Sequence, residues 1–290
     1  MIFSLITNNP VEAKAADEAG IQRIMIDLEK KGKARRQKGK DLFLSTHQPK
    51  DISLIQSNVQ RAAIVVRINP IHSQSGKEVE RVIDLGADYV MMPYFFSIEE
   101  VRAFHHLVKG RAKTILLLET DGAMNIIEEI ISISPPSEFH IGLNDLSICL
   151  NKKNIFGLFQ DGTIETITAR LRPYNIPYGI SGVGSLSQAE LPISPTDFLI
   201  EQIRLGATRG WLGRSFRKGM NPNNMASEFQ LLTSTYERWQ SAHEKQFESS
   251  HESFLAQISK YATTLFRDPP LEIASDFVNA AAPSSKSSCI

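Results

Sequence analysis

Short β-branched or apolar runs alternate along the chain with longer stretches whose apolar positions recur at helical spacing. That is the pattern of repeated βα units around a parallel sheet. The runs fall at residues 2–6, 23–28, 63–68, 88–92, 113–118, 138–142, 177–181 and 209–213. Eight such units in one chain predict an α/β protein of the closed (β/α)8 barrel type rather than an open doubly wound sheet. The helical stretches carry their own signals. Asn9 and Pro10 precede an alanine-rich segment, and Ser97 is followed three positions later by Glu100, the spacing of a capping box. Gly20, Gly86 and Gly206 each follow an apolar helical stretch shortly before the next strand, as glycines at helix C-termini do. The expected organisation is a barrel core over residues 1–221 and long amphipathic helices over 222–268, packed on the barrel or on a neighbouring subunit. A small, polar tail over 269–290 is expected to be disordered. An extra run, LFLST at 42–46, is read as part of an insertion after the second strand.

Composition narrows the class without naming it. Thirty-two basic residues balance 32 acidic ones and 42% of residues are hydrophobic. This is an ordinary globular balance that argues against a general grip on nucleic acid. No apolar run approaches the ~18–20 residues that span a bilayer and no secretory signal is visible, so a cytoplasmic protein without a membrane partner is expected. Two cysteines, Cys149 and Cys289, lack metal-ligand spacing and exclude a disulfide framework or a structural zinc site. One stretch breaks the neutrality. Residues 30–40, KKGKARRQKGK, carry seven basic side chains, read either as a solvated charge run or as a loop that attracts a polyanionic substrate.

In a barrel the C-terminal strand ends build the active site, so polar residues there are the first candidates. They are Asp27 and Glu29 after the second strand, Arg67 and Asn69 after the third, Glu119 after the fifth, and Asn144 and Asp145 after the sixth. Two carboxylates at one mouth repel unless a cation lies between them, and a small set of oxygen ligands suits Mg2+ or Mn2+. The other reading of Glu119 and Asp145 is as acids at helix N-termini. A guanidinium at the position of Arg67 requires an anion, either the substrate or Glu29. His47 is a candidate for acid–base work because imidazole titrates near neutrality. Glycine-rich ends after the seventh and eighth strands, with Gly182, Gly184, Ser185 and Arg214, have the composition of a phosphate cradle. His72, His105, His106 and His140 form no spaced cluster and are read as surface or core histidines.

The segments IDLE (26–29), VVRIN (65–69), GADYVMMP (86–93), LLLETDGAMNI (116–126) and IGLNDLS (141–147) resemble, in order and spacing, the HpcH/HpaI aldolase and citrate lyase β-subunit family. The resemblance covers about residues 20–215. It implies a phosphoenolpyruvate/pyruvate-type barrel that makes or cleaves a C–C bond of a 2-keto acid, such as pyruvate or oxaloacetate, through a metal-stabilised enolate. Glu119 and Asp145 would hold Mg2+ or Mn2+, Arg67 would clamp the substrate carboxylate, and Asp27 and Glu29 would steady Arg67 or a metal-bound water. Backbone amides near Gly142 and Leu143, beside Asn144, would add donors. Two departures stand out. Lys30 follows the second-strand glutamate where many members have histidine, and Met92-Pro93-Tyr94 replaces a Leu-Pro-Lys. They leave open the general base, the acceptor substrate and a barrel kept for binding rather than turnover, while the basic insertion and the glycine-rich strand ends leave open a phosphorylated substrate. Homo-oligomers are common in such barrels, and one is expected here.

Overall fold

A computed structural model describes residues 1–33, 45–187, 191–218 and 220–267 of the chain. Within them the strands are β1 (Ile2–Ile6), β2 (Arg23–Asp27), β3 (Ala63–Arg67), β4 (Tyr89–Met92), β5 (Lys113–Leu118), β6 (Glu138–Ile141), β7 (Tyr178–Val183) and β8 (Arg209–Leu212). They pair in parallel in sequence order, and β8 returns to pair with β1, closing the barrel. All eight predicted runs are strands. The largest departure is β7, which continues to Val183 through a register shift, between its Gly179 and Gly182, in its pairing with β8. That irregularity leaves Ser181 at a left-handed φ of 48°. Residues 34–40 of the basic stretch, 42–44 of LFLST and the tail beyond 267 lie outside the described residues. Ser45 and Thr46 belong to no strand.

The helices begin and end where their signals stand. Asn9 caps the helix Pro10–Glu18 by accepting from the Val11 amide at 2.9 Å. Ser97 and Glu100 form the reciprocal capping box of the helix Ile98–Val108. Gly86 stops its helix at φ 105°, a conformation that costs a residue with a β-carbon.

Period-two alternation sorts the strand residues. Outward side chains join the surrounding helices in one continuous apolar cluster, whereas Met25, Val65, Tyr89, Met91, Ile115 and Leu117 fill the barrel with Ile6, Ala63 and Trp211 packed against them. Below this layer, at the strand starts, Arg23 grips Glu138 through two N–H bonds of 2.7 and 2.6 Å and lies 4.1 Å above the Tyr89 ring. The floor is thus closed by a buried ion pair, and the open end is the opposite one. The helices Met225–Gln240 and Glu244–Arg267 pack on this chain's own barrel. Phe229 meets Phe3 edge-on at 5.8 Å, and Phe254 stacks on Phe198 at 6.0 Å while meeting Phe159 at 5.3 Å.

Candidate active site

Strand register sets the first contact of the site. Parallel pairing puts Asp27 directly beside Arg67 at the ends of β2 and β3. Arg67 Nε and Nη2 donate to the two Asp27 oxygens at 2.8 and 2.6 Å, the forked geometry that a guanidinium favours. Arg67 Nη1 lies 3.5 Å from Glu29, and Lys33, itself buried, stands 3.5 Å from Asp27 and 3.6 Å from Glu29. Burial alone would raise the Asp27 pKa, but the Arg67 and Lys33 charges and the Arg67 hydrogen bonds outweigh it and hold the carboxyl well below the usual range. Burial likewise works against the Arg67 charge, and Asp27 and Glu29 reverse that effect, so the guanidinium stays protonated. The principal partner of Arg67 is therefore Asp27, with Glu29 more distant.

Above this pair the carboxylates of Glu29, Glu119 and Asp145 converge, all buried, with one oxygen of each within 4.8 Å of the others. Glu119 follows β5, and its Oε1 accepts the Tyr94 amide at 3.0 Å. Asp145 lies in the first turn of the helix Leu143–Cys149, directly after β6. Gly142 stands against Glu119, where a β-carbon would lie 2.6 Å from a carboxylate oxygen. Glu119 is no helix cap, since Thr120 fills that role by accepting from Ala123. Three buried carboxylates with converging oxygens are a donor set that fits a hard divalent cation bound through oxygen. Glu29, assigned from sequence to catalysis beside Arg67, thus belongs with Glu119 and Asp145.

His47 reaches the same pocket, whose wall also includes Leu143, Asn144, Gly182 and Arg214. Its Nδ1 accepts the Asp27 amide at 3.0 Å, so the neutral ring carries its proton on Nε2. Burial lowers the His47 pKa against the opposing pull of Asp27 and Asp51, and the neutral ring is the resting form. With Nδ1 committed to the Asp27 amide, the neutral ring offers a donor at Nε2. Two further expectations change. The Gly142 amide is spent on the Leu118 carbonyl at 2.9 Å, although Gly142 lines the pocket together with Leu143, Asn144 and Asp145. The glycine-rich end of β7 is not an open phosphate cradle, because buried Glu228, from the helix Met225–Gln240, takes the Ser185 hydroxyl at 2.8 Å and the Leu186 amide at 2.5 Å. Gly182 and Arg214, the other residues of that expectation, stand in the pocket wall instead.

Three side chains of the site escaped the sequence reading. Lys33 was hidden in the basic run, although it stands four residues after Glu29. Trp211 lines the pocket under the Arg67 guanidinium, 5.6 Å from it, and stacks on His140 with ring centres 3.8 Å apart and planes 5° from parallel. Fully buried His140 is driven by desolvation to a pKa of about 3, against the Ser181 carbonyl to which its Nε2 bonds at 3.2 Å. Gly179, its neighbour on β7, makes room: a β-carbon there would lie 2.5 Å from His140 Nδ1. The inward alternation of β6 and β8, from Glu138 to His140 and from Arg209 to Trp211, is the signal that places both.

A sequence model of the family described as HpcH/HpaI aldolase/citrate lyase matches residues 1–156. No curated protein matches the chain. Solved structures with this fold include an HpcH/HpaI aldolase/citrate lyase family protein from Burkholderia cenocepacia J2315. It is 12% identical, with 83% of this chain and 95% of that one covered and a TM-score of 0.57. The HpcH/HpaI aldolase from Desulfitobacterium hafniense DCB-2 is 14% identical over 84% and 94% of the two chains, at a TM-score of 0.54. The citrate synthase SbnG is 12% identical over 83% and 95%, at 0.53. At such identities the likeness is one of fold.

Proposed function

We propose that this chain, which belongs to the HpcH/HpaI aldolase/citrate lyase family of carbon–carbon lyases, makes or breaks the bond next to the keto group of a 2-keto acid. The pyruvate or oxaloacetate unit would bind between Arg67 and a Mg2+ or Mn2+ ion held by Glu29, Glu119 and Asp145. The observation that carries this reading is the buried convergence of those three carboxylates beside an arginine. A divalent cation at that position supplies Lewis-acid stabilisation of the negative charge that develops on the keto oxygen. The chain's own residues do the rest. Arg67 has five N–H donors and commits two to Asp27, so with Nη1 3.5 Å from Glu29 the remaining donors would be shared between Glu29 and the substrate carboxylate. Asp27 holds the guanidinium plane in place, and the Trp211 face lies beneath it. His47, a neutral donor at Nε2, hydrogen-bonds a substrate oxygen that gains charge, the role of an oxyanion donor rather than of a base.

The pocket bounded by these groups has a volume of about 150 Å³. That suits a small keto acid better than a large conjugate. The second reading from sequence, a phosphorylated substrate gripped by the β7 loop, loses support at that loop because Glu228 fills it. Oxaloacetate decarboxylation tests the reading. Pyruvate release should require Mg2+ or Mn2+ and fall by about a hundredfold or more in Glu119→Gln, as loss of a metal ligand or its support does. Release that is metal-independent, or equal in Glu119→Gln, would contradict it.

A further inference from the structure

Beside the inner pocket lies a second cavity of about 390 Å³, and His47 belongs to the walls of both. Its rim carries Lys30 and Lys31 after β2 and Lys77 and Arg81 on the helix Ser75–Asp84, against a single carboxylate, Glu78. That carboxylate is already engaged. Its Oε1 accepts the Asn69 amide at 3.1 Å and the Asn69 side-chain Nδ2 at 2.7 Å, and its Oε2 accepts from His72 Nε2 at 3.2 Å. His72 Nδ1 in turn accepts the Gln74 amide at 2.9 Å, which fixes the ring as the Nε2–H tautomer. Asn69 Oδ1 takes the amides of Lys30 and Lys31 at 2.9 and 2.8 Å and so anchors the backbone from which those lysines project. The floor is therefore a closed hydrogen-bond network, and among the described residues no carboxylate pairs with Lys30, Lys77 or Arg81.

We infer that this cavity is an anion subsite for a phosphate group, carried by the part of the substrate that is not the keto acid. The inner pocket is too small for both halves of a larger substrate, and the outer cavity begins at the residue that faces the reacting keto group. Lys30, Lys77 and Arg81 against one engaged acid match a dianion better than a singly charged carboxylate. Lysines read such a group as point charges, without the planar fork that a carboxylate prefers. The inference deepens the proposed function and rests on it for the occupant of the inner pocket. The cavity's affinity for phosphate is a separate quantity.

The test uses the metal-free full chain and inorganic phosphate, so that no keto-acid chemistry enters the readout. Histidine side-chain resonances are followed by NMR, with His72 assigned by its loss in His72→Gln and with the Trp211 indole signal reporting on the inner pocket. The expected result is saturable movement of the His72 resonances and an affinity weakened about tenfold in the double variant Lys77→Glu/Arg81→Glu, the size expected for reversing two exposed charges. Acetate at equal concentration should shift His72 less. Both substituted side chains are exposed, so the far-ultraviolet circular dichroism of the variant should match the parent. A still His72 signal, an unchanged affinity in the double variant, equal binding of acetate, or movement of the Trp211 signal alone would each overturn the assignment. Failure of the proposed function would show instead as absent metal-dependent turnover, with the phosphate titration unaffected.

Discussion

Arg67 and Asp27 show how one pair can serve both stability and chemistry. Both are buried and joined by a forked pair of hydrogen bonds, so removing either partner leaves a charge out of water with nothing opposite it. Arg67→Ala should lower stability by about 3–5 kcal/mol, read from urea denaturation, and Arg67→Lys should recover only part because an ammonium cannot make the fork. The Arg67 requirement was legible from its place at a strand end, but its partner was not, because only the β2–β3 register sets Asp27 beside it. The histidines give a pH prediction at the same scale. An unfolded histidine titrates near 6.5, whereas folded His140 titrates near 3. Between those values the unfolded chain binds a proton that the folded chain refuses, so this part of the stability is complete above pH 6.5 and is lost as pH falls toward 3. Buried His47 works in the same direction. Urea midpoints measured from pH 7 down to pH 4 should fall, and His140→Phe should fall less steeply than the parent.

Single elements carry constraints that no residue shows alone. The turn from β6 into the helix Leu143–Cys149 needs Gly142 because Glu119 of the neighbouring strand occupies the space of a β-carbon. Gly142→Ala should displace the Glu119 carboxylate and weaken Mn2+ binding by about tenfold to a hundredfold, measured by titration, at a stability cost of about 1–3 kcal/mol. The end of β7 depends on a distant helix. Glu228→Ala would leave the Ser185 hydroxyl and Leu186 amide without their acceptor, and should cost about 1–3 kcal/mol in the same urea experiment. Glycine and serine after β7 were visible as a cradle in sequence. The occupant was not, because a glutamate forty residues later on an amphipathic helix has the look of a surface charge. His140 was similarly obscured: its inward position follows from strand alternation, but its stacking on Trp211 requires the closed barrel that brings β6, β7 and β8 together.

Across the whole molecule the net charge of zero conceals a separation by function. Acids gather in the barrel mouth around Glu29, Glu119 and Asp145, and cations gather in the adjoining cavity around Lys77 and Arg81. The barrel itself was legible, since strand runs and helix stops follow from local pattern, and the family resemblance carried by five motifs implies the same topology. What local pattern does not hold is assembly: which acid joins a cluster, which loop is filled by a helix from the far end of the chain, and which aromatic side chains meet. Phe254, sealed between Phe159 and Phe198, ties the last helix to the barrel, and Phe254→Ala should cost about 3–5 kcal/mol. The most direct measurement follows the methyl protons of pyruvate in deuterated buffer, with the metal-loaded chain and with Glu119→Gln and Arg67→Ala beside it. The expected result is methyl exchange that requires Mg2+ or Mn2+ and is lost in both variants. Tight metal binding with no exchange above the buffer rate, or exchange that survives Glu119→Gln, would contradict the assignment of keto-acid chemistry to this mouth.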